Sequence, residues 1–471
     1  MSVQRIFQIK TKDGAVHTID PEKSELPVLP DERHLGLGKM SVIQAAASIT
    51  PSSLSSGFAI GLLVSPAWGI VAVLFGVAGM SIFTLLNTLL FAKYGTEQVF
   101  LGKPFFGEKG VKFAIAIIGN VMIWGWQCIP VVMIGRITRK LMNCAGYTGS
   151  LANATLWGLI FMVITLGICY KGTYLMSKIY NITIPLMLIM LFIISVVTLN
   201  KYGVNETMFA TTFSGMTRSD YIMAAECGLG YGFSWWNVFG SYAKVGKSEN
   251  ASFNGTVLGY GIAPALTMIP GILGAAVTGM SDPIDGFMEV GGPTFGVIFL
   301  LVVFAANFCS MVTNPYFQSC VLRTTFPKLK WGYAVAINAI IVPIVVFPAI
   351  YDNFAPVLSV LATFGGVFSC VWVTDSLQRK FHVDLYGTFH PECKTYYYQG
   401  GWNVCAWIAL AVGVVVSFAI KNPVTGTMYL QSVYDLFGQS IPGALIGSIL
   451  YLILYRAFIA PKQTVSARVA K

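Results

Sequence analysis

Ala47-Ser48-Ile49-Thr50-Pro51-Ser52-Ser53 interrupts an apolar stretch at about 40–64, and Gly228-Leu229-Gly230-Tyr231-Gly232 interrupts another at about 221–242. Both stretches are otherwise apolar enough to cross a bilayer. A backbone amide left unpaired in hydrocarbon costs several kcal/mol, so a broken helix persists only where its freed groups face a cavity or a ligand. Paired breaks at matching positions of two halves point to the binding site of a membrane carrier.

The rest of the chain agrees with a polytopic membrane protein. Hydrophobic residues make up 55% of it and charged residues only 11%. Apolar runs long enough to span recur throughout. Twelve spans are expected near 40–64, 67–93, 112–137, 151–170, 173–198, 221–242, 253–280, 294–320, 331–350, 354–374, 402–420 and 436–457. The broken stretches are then spans one and six.

The net charge of +10 does not imply a nucleic-acid partner, because its distribution follows the bilayer. With a cytoplasmic N-terminus, only Arg136, Arg139, Lys140, Lys201, Arg218 and Lys421 of the 30 basic residues lie outside. That asymmetry orients the chain with both termini cytoplasmic, and a plasma (inner) membrane is the expected location. Residues 1–35 are polar and mixed in charge. They read as a cytoplasmic tail and not as a cleavable leader. Residues 36–458 form one transmembrane domain, and 459–471 a second cytoplasmic tail.

Several chemistries are excluded. The nine cysteines are scattered and form no CxxC, so they read as small apolar packers. His17, His34, His382 and His390 all fall in cytoplasmic segments, which removes a histidine metal site or proton relay from the bilayer. Walker A, HExxH and GxSxG signatures are absent. No cofactor is expected. Glycines 228, 230 and 232 follow no strand and read as residues that let a helix unwind.

Short motifs then carry a family likeness. Tyr94-Gly95 precedes Pro104-Phe105-Phe106-Gly107-Glu108-Lys109-Gly110, and Trp124-Gly125-Trp126 lies in span three. Tyr242-Ala243-Lys244-Val245-Gly246-Lys247 closes span six. Asp375-Ser376-Leu377-Gln378-Arg379 ends span ten, and Gly401-Trp402-Asn403-Val404-Cys405-Ala406 opens span eleven. In order and spacing, over roughly 35–455, the chain resembles the first class of nucleobase–cation symporters, in its cytosine permease branch. The resemblance implies an all-α LeuT-type fold of two five-helix inverted repeats plus two helices, with helices one and six broken. It also implies import of a nucleobase or related heterocycle coupled to a cation.

Residue by residue, the resemblance puts Trp124 against one face of the substrate. Gln127 shares its helix face and stands one residue from a glutamine of some relatives. A flat heterocycle needs such a π-face and a few polar groups at its edge. The second stacking aromatic of relatives aligns with Gly232, so Phe233, or else Tyr231, is expected to present it; Trp126 reads as structural. For a sodium ion, the resemblance implies the carbonyls of Ala45 and Ser48 with the side chains of Asn307 and Ser310, while Met311 replaces a further hydroxyl. Asn314 or Thr313 would meet the edge of the base. The same polar side chains also suit plain helix–helix contacts.

Glu226 has no counterpart in the family motif. As the one acid deep inside a span it reads as a partner for a substrate amine, a carrier of a coupling proton, or an ion-pair member in the outer vestibule, and, with Asp220 six residues away, equally as a solvated helix-end acid. Alternatives stand beside the main reading: a proton-coupled carrier of hydantoin, allantoin or a vitamin-like pyrimidine, and, from another class, a channel or membrane-embedded enzyme. The spans hold no nucleophile–base pair and no repeated pore lining. Substrate and oligomeric state are not fixed by the sequence.

Overall fold

The computed structural model describes residues 7–10, 16–19, 27–171, 173–204, 208, 216–345 and 351–461. Nearly all of these are helical. The exception is a small antiparallel hairpin, Phe7–Lys10 paired with Val16–Ile19, within the segment read as a tail. Residues 462–471 of the other tail lie outside the described residues.

Eight described helices are long and apolar enough to cross a membrane: Pro66–Phe83, Lys112–Cys144, Ala154–Lys171, Ile182–Tyr202, Glu249–Thr278, Pro283–Thr325, Phe354–Gln378 and Ser440–Ile459. They correspond to spans two, three, four, five, seven, eight, ten and twelve. Span eleven, Val404–Ile420, is 17 residues long, and the described part of span nine is Trp331–Val345. Spans one and six fall short because each is divided. The protein is thus a polytopic, essentially all-helical membrane protein of twelve spans.

Span one breaks where the sequence predicts. Its first half, Leu37–Ser48, ends at Ile49, and its second half, Pro51–Gly61, begins from Thr50. Thr50 is extended, its hydroxyl accepts from the Ser53 amide, and Pro51 occupies the first helical position. These are the ordinary start signals of a helix, placed in the middle of a span.

Span six is also divided, but not at its glycines. Arg218–Phe233 is one uninterrupted helix, and regular structure resumes only at Gly240–Ala243. The non-helical stretch is 234–239, Ser-Trp-Trp-Asn-Val-Phe. The glycines do a different job. A Cβ on Gly230 would fall on the Leu358 backbone of span ten, one on Gly232 would meet Met80, and one on Gly228 would meet Ala72 of span two. Small residues let the three helices approach backbone to backbone, as in other membrane seams.

The two ends of the bundle are tied differently. At one end Arg136 of span three pairs with Asp282 at 2.8 Å and Asp352 at 2.7 Å, and Lys140 with Asp285 at 2.7 Å. These contacts join span three to the beginnings of spans eight and ten. At the opposite end Lys244, just past span six, pairs with Glu97 at 2.8 Å, both buried. There the segment before span one is also pinned: the Val28 amide donates to the Gly95 carbonyl, and the Arg33 guanidinium to that of Ala92.

Candidate functional site

The two breaks meet. Ser48, the last helical residue before the gap in span one, has a carbonyl free of the helical ladder. It accepts from the Ser53 hydroxyl and, at 3.2 Å, from the hydroxyl of Tyr231 in span six. The Ser53 and Tyr231 hydroxyls are themselves 3.1 Å apart. Ser48 also donates to the Gly259 carbonyl of span seven at 2.7 Å.

Aromatic rings surround this junction. The Trp126 ring of span three stands edge-on to Tyr231, centroids 5.5 Å apart at 85°. Its indole N–H donates to the Ser234 hydroxyl, at the start of the unwound stretch, at 2.8 Å. Trp235 lies 5.7 Å from Trp126, and Tyr260 of span seven is nearly parallel to Tyr231 at 6.3 Å. Flat rings with hydroxyl and carbonyl groups between them suit a planar, apolar-faced molecule with a polar edge.

Three sequence expectations change here. Trp124 is half-buried and turned away from the breaks: its indole N–H donates to Asn338 of span nine at 3.1 Å. Trp126, read as structural, is the tryptophan at the junction. Span three opens with a π-helical stretch, Lys112–Gly119, and the wider turn rephases every later residue against the bundle. Phe233 packs away from the junction with Leu229 and Ala362, against Gly366 of span ten, and it is Tyr231 that reaches Ser48. Gly232 lies in the helix before the gap and not within it.

The side chains expected from span eight are all buried. The Asn307 amide donates to the Val303 carbonyl, while its Oδ1 has no partner among the described residues, nor has the Ser310 hydroxyl. Gln127 is fully buried and donates to the Met311 carbonyl at 3.4 Å. Ala45 keeps a helical bond from Ile49 on its carbonyl. Thr313 is committed elsewhere: it donates to the Cys309 carbonyl and shares a hydrogen bond with Tyr180 of span five. Asn314 is buried and lies one turn from Ser310 on the same face.

Glu226 does not join this group. One carboxylate oxygen accepts from the backbone amides of Gln439 and Ser440, both at 3.0 Å, and the other from the Ser440 hydroxyl. It caps the N-terminus of span twelve, where unpaired amides and the positive helix end favour a carboxylate. An apolar cavity of about 430 Å³ beside it lies among spans two, six and twelve, and its lining includes neither Ser48 nor Tyr231. Ser53 entered the sequence reading only as part of the break, and Tyr260, Ser234 and Trp235 not at all. The signal that would have found the last two is the pair of tryptophans, Trp235-Trp236, followed by Asn237 in an otherwise apolar span.

A twelve-span bundle whose first and sixth helices break against one another defines a secondary carrier. The profile of the family described as "Permease for cytosine/purines, uracil, thiamine, allantoin" matches residues 41–441, and the chain belongs to that family. It is a membrane transporter and not an enzyme. No curated protein sequence gives a significant match. Among solved structures the fold is similar to that of Mhp1, a nucleobase-cation-symport-1 family transporter. Its closed form with bromovinylhydantoin bound gives a TM-score of 0.76 at 18% identity over 92% of this chain and 94% of that one. Its inward-facing form gives 0.74 at the same identity and coverage. A manganese transporter of Eremococcus coleocola is similar at 0.54 and 12% identity, over 89% and 94% of the two chains. The shared architecture is the LeuT type expected from the sequence.

Proposed function

We propose that the protein imports a nucleobase or a related nitrogen heterocycle across the plasma membrane, held at the meeting point of the two broken helices. The observation that carries this reading is the contact of Tyr231 and Ser53 with the freed Ser48 carbonyl, beside the Trp126 ring. In the transporting cycle Trp126 supplies the π-face, and Ser53, Tyr231 and Ser234 address the polar edge. Gln127, next to Trp126 in the chain, and Asn314 of span eight supply amides for the edge of the ring in this reading.

The coupling ion in this reading is sodium, held where spans one and eight pack together. Asn307 and Ser310 each keep a buried oxygen without a partner, and hard oxygens suit that cation. The carbonyls of Ala45 and Ser48 complete the set. Glu226 is occupied with span twelve and carries no coupling proton. Both termini are cytoplasmic, so the Arg136 end is external and the Lys244 end faces the cytoplasm. The tails are 1–35 and 459–471, and the membrane domain is 36–458.

The purified protein should be tested by thermal shift against cytosine, uracil, adenine, allantoin and hydantoin, in sodium and in potassium. A ligand that binds the folded state raises its stability by RT ln(1+[L]/Kd). At least one compound should stabilise the protein, more strongly in sodium. Identical shifts in the two salts at fixed pH would remove sodium coupling, and no shift with any compound would remove the substrate class.

A further inference from the structure

Below the junction, toward the Lys244 end, three amide side chains from three elements are fully buried with little to bond to. Both amide atoms of Asn120 in span three and both of Asn237 in the unwound stretch of span six lack a partner among the described residues. The same is true of the carbonyl oxygen of Gln318 in span eight. These side chains are neighbours. Gln318 donates to the Asn120 backbone carbonyl at 3.2 Å. The Asn237 side chain lies so close to Gly119 that a Cβ there would sit 2.5–2.8 Å from it. A buried amide left unpaired is costly, and such a group in a folded protein calls for a partner, whether an ordered water or a ligand.

All three lie on the same side of the substrate junction. Asn120 comes six residues before Trp126 and Gln318 eight after Ser310, roughly 9–12 Å along their helices at 1.5 Å per residue, and Asn237 follows Tyr231 by six residues through the unwound stretch. Each step runs toward the cytoplasmic end. The chemistry of the group selects its ligand. A cation would engage only the oxygens and leave the Asn120 and Asn237 amino groups bare. A neutral planar ring with alternating N–H and C=O groups on its edge satisfies donors and acceptors together.

We infer that Asn120, Asn237 and Gln318 form a second station for the transported heterocycle, occupied between the central junction and release to the cytoplasm. The inference rests on the substrate class proposed above. Its role is in exit, so its loss should slow turnover without weakening capture.

The test is equilibrium dialysis of the purified full chain in sodium, with radiolabelled cytosine, uracil and hydantoin in turn, beside uptake into proteoliposomes. Wild type should bind one of these probes at two sites per chain, one tight and one weak. Asn120→Leu with Gln318→Leu should lose the weak site, keep the tight site within two-fold, and lower maximal uptake about ten-fold at unchanged KM. Should the double variant fail to fold, Gln318→Met, close in volume, carries the same expectation at smaller amplitude. One site in wild type, or variants with unchanged maximal uptake, would overturn the second station and leave the substrate class standing. Loss of the tight site in the variants would likewise overturn it, because the amides would then belong to the central junction. Binding of none of the three probes to wild type would overturn both.

Discussion

The hydroxyl of Tyr231 donates to the backbone carbonyl of Ser48 across 3.2 Å, joining the broken sixth helix to the broken first. The bond puts a side chain where span one has lost a helical partner, so the gap in one helix is stabilised by the other. Tyr231→Phe removes the donor and keeps the ring. It should cost about 1 kcal/mol of stability, the net worth of one such hydrogen bond, seen as a lower unfolding temperature. Substrate affinity should fall as well, because Ser53 loses a fixed neighbour. Unchanged stability together with unchanged affinity would show that the two helices are not held by this contact.

The two tryptophans of span three should part company. Trp126→Ala should weaken substrate binding by about 1–3 kcal/mol, the scale of a base on an aromatic face. Trp124→Ala, which loses a bond to Asn338, should leave binding within two-fold. Titration calorimetry on both variants decides it, and the opposite ranking would move the pocket to the span nine side.

Glu226→Gln should behave as a stability variant. An amide in place of the carboxylate keeps an acceptor but faces the Gln439 and Ser440 donors with a weaker one. The expected loss is about 1–3 kcal/mol, the difference that a charged acceptor makes to buried donors. Uptake measured from acidic to neutral pH should keep its shape. A flattened profile in this variant would restore the proton-carrier role.

Gly230 tests the seam in span six. Its Cβ would collide with the Leu358 backbone, and an overpacked contact of that kind costs about 1–3 kcal/mol or more. Gly230→Ala should therefore lower the yield of folded protein while the surviving fraction binds substrate normally. If the glycines were the hinge, binding and turnover would suffer first.

The ion pairs around Arg136 tie span three to the beginnings of spans eight and ten at one end of the bundle, and they are expected to hold that end shut. They are partly exposed, and such pairs contribute about 0.2–1 kcal/mol each. Arg136→Gln, which loses two of them, should raise the population open at that end about five-fold. A Ser55→Cys reporter, in a background without native cysteines, should then react faster with a membrane-impermeant thiol reagent added outside. Equal rates would mean that these pairs do not hold that end shut.

The sequence by itself determined the twelve-span plan, because unbroken apolar length is a local property that lipid enforces. It also determined the break in span one, where Thr50 and Pro51 start a new helix whatever surrounds them. Tertiary structure decided the rest. Glycine serves both an unwound turn and a close helix contact, and only Ala72, Met80 and Leu358 across the seam show that span six uses it for contact. Which tryptophan meets the junction depends on helix phase, and the π-helical entry of span three changes that phase without a sequence mark. A carboxylate in the bilayer demands a partner, but that partner, the Gln439 amide, lies 213 residues away in sequence, and only the packing of span twelve on span six supplies it.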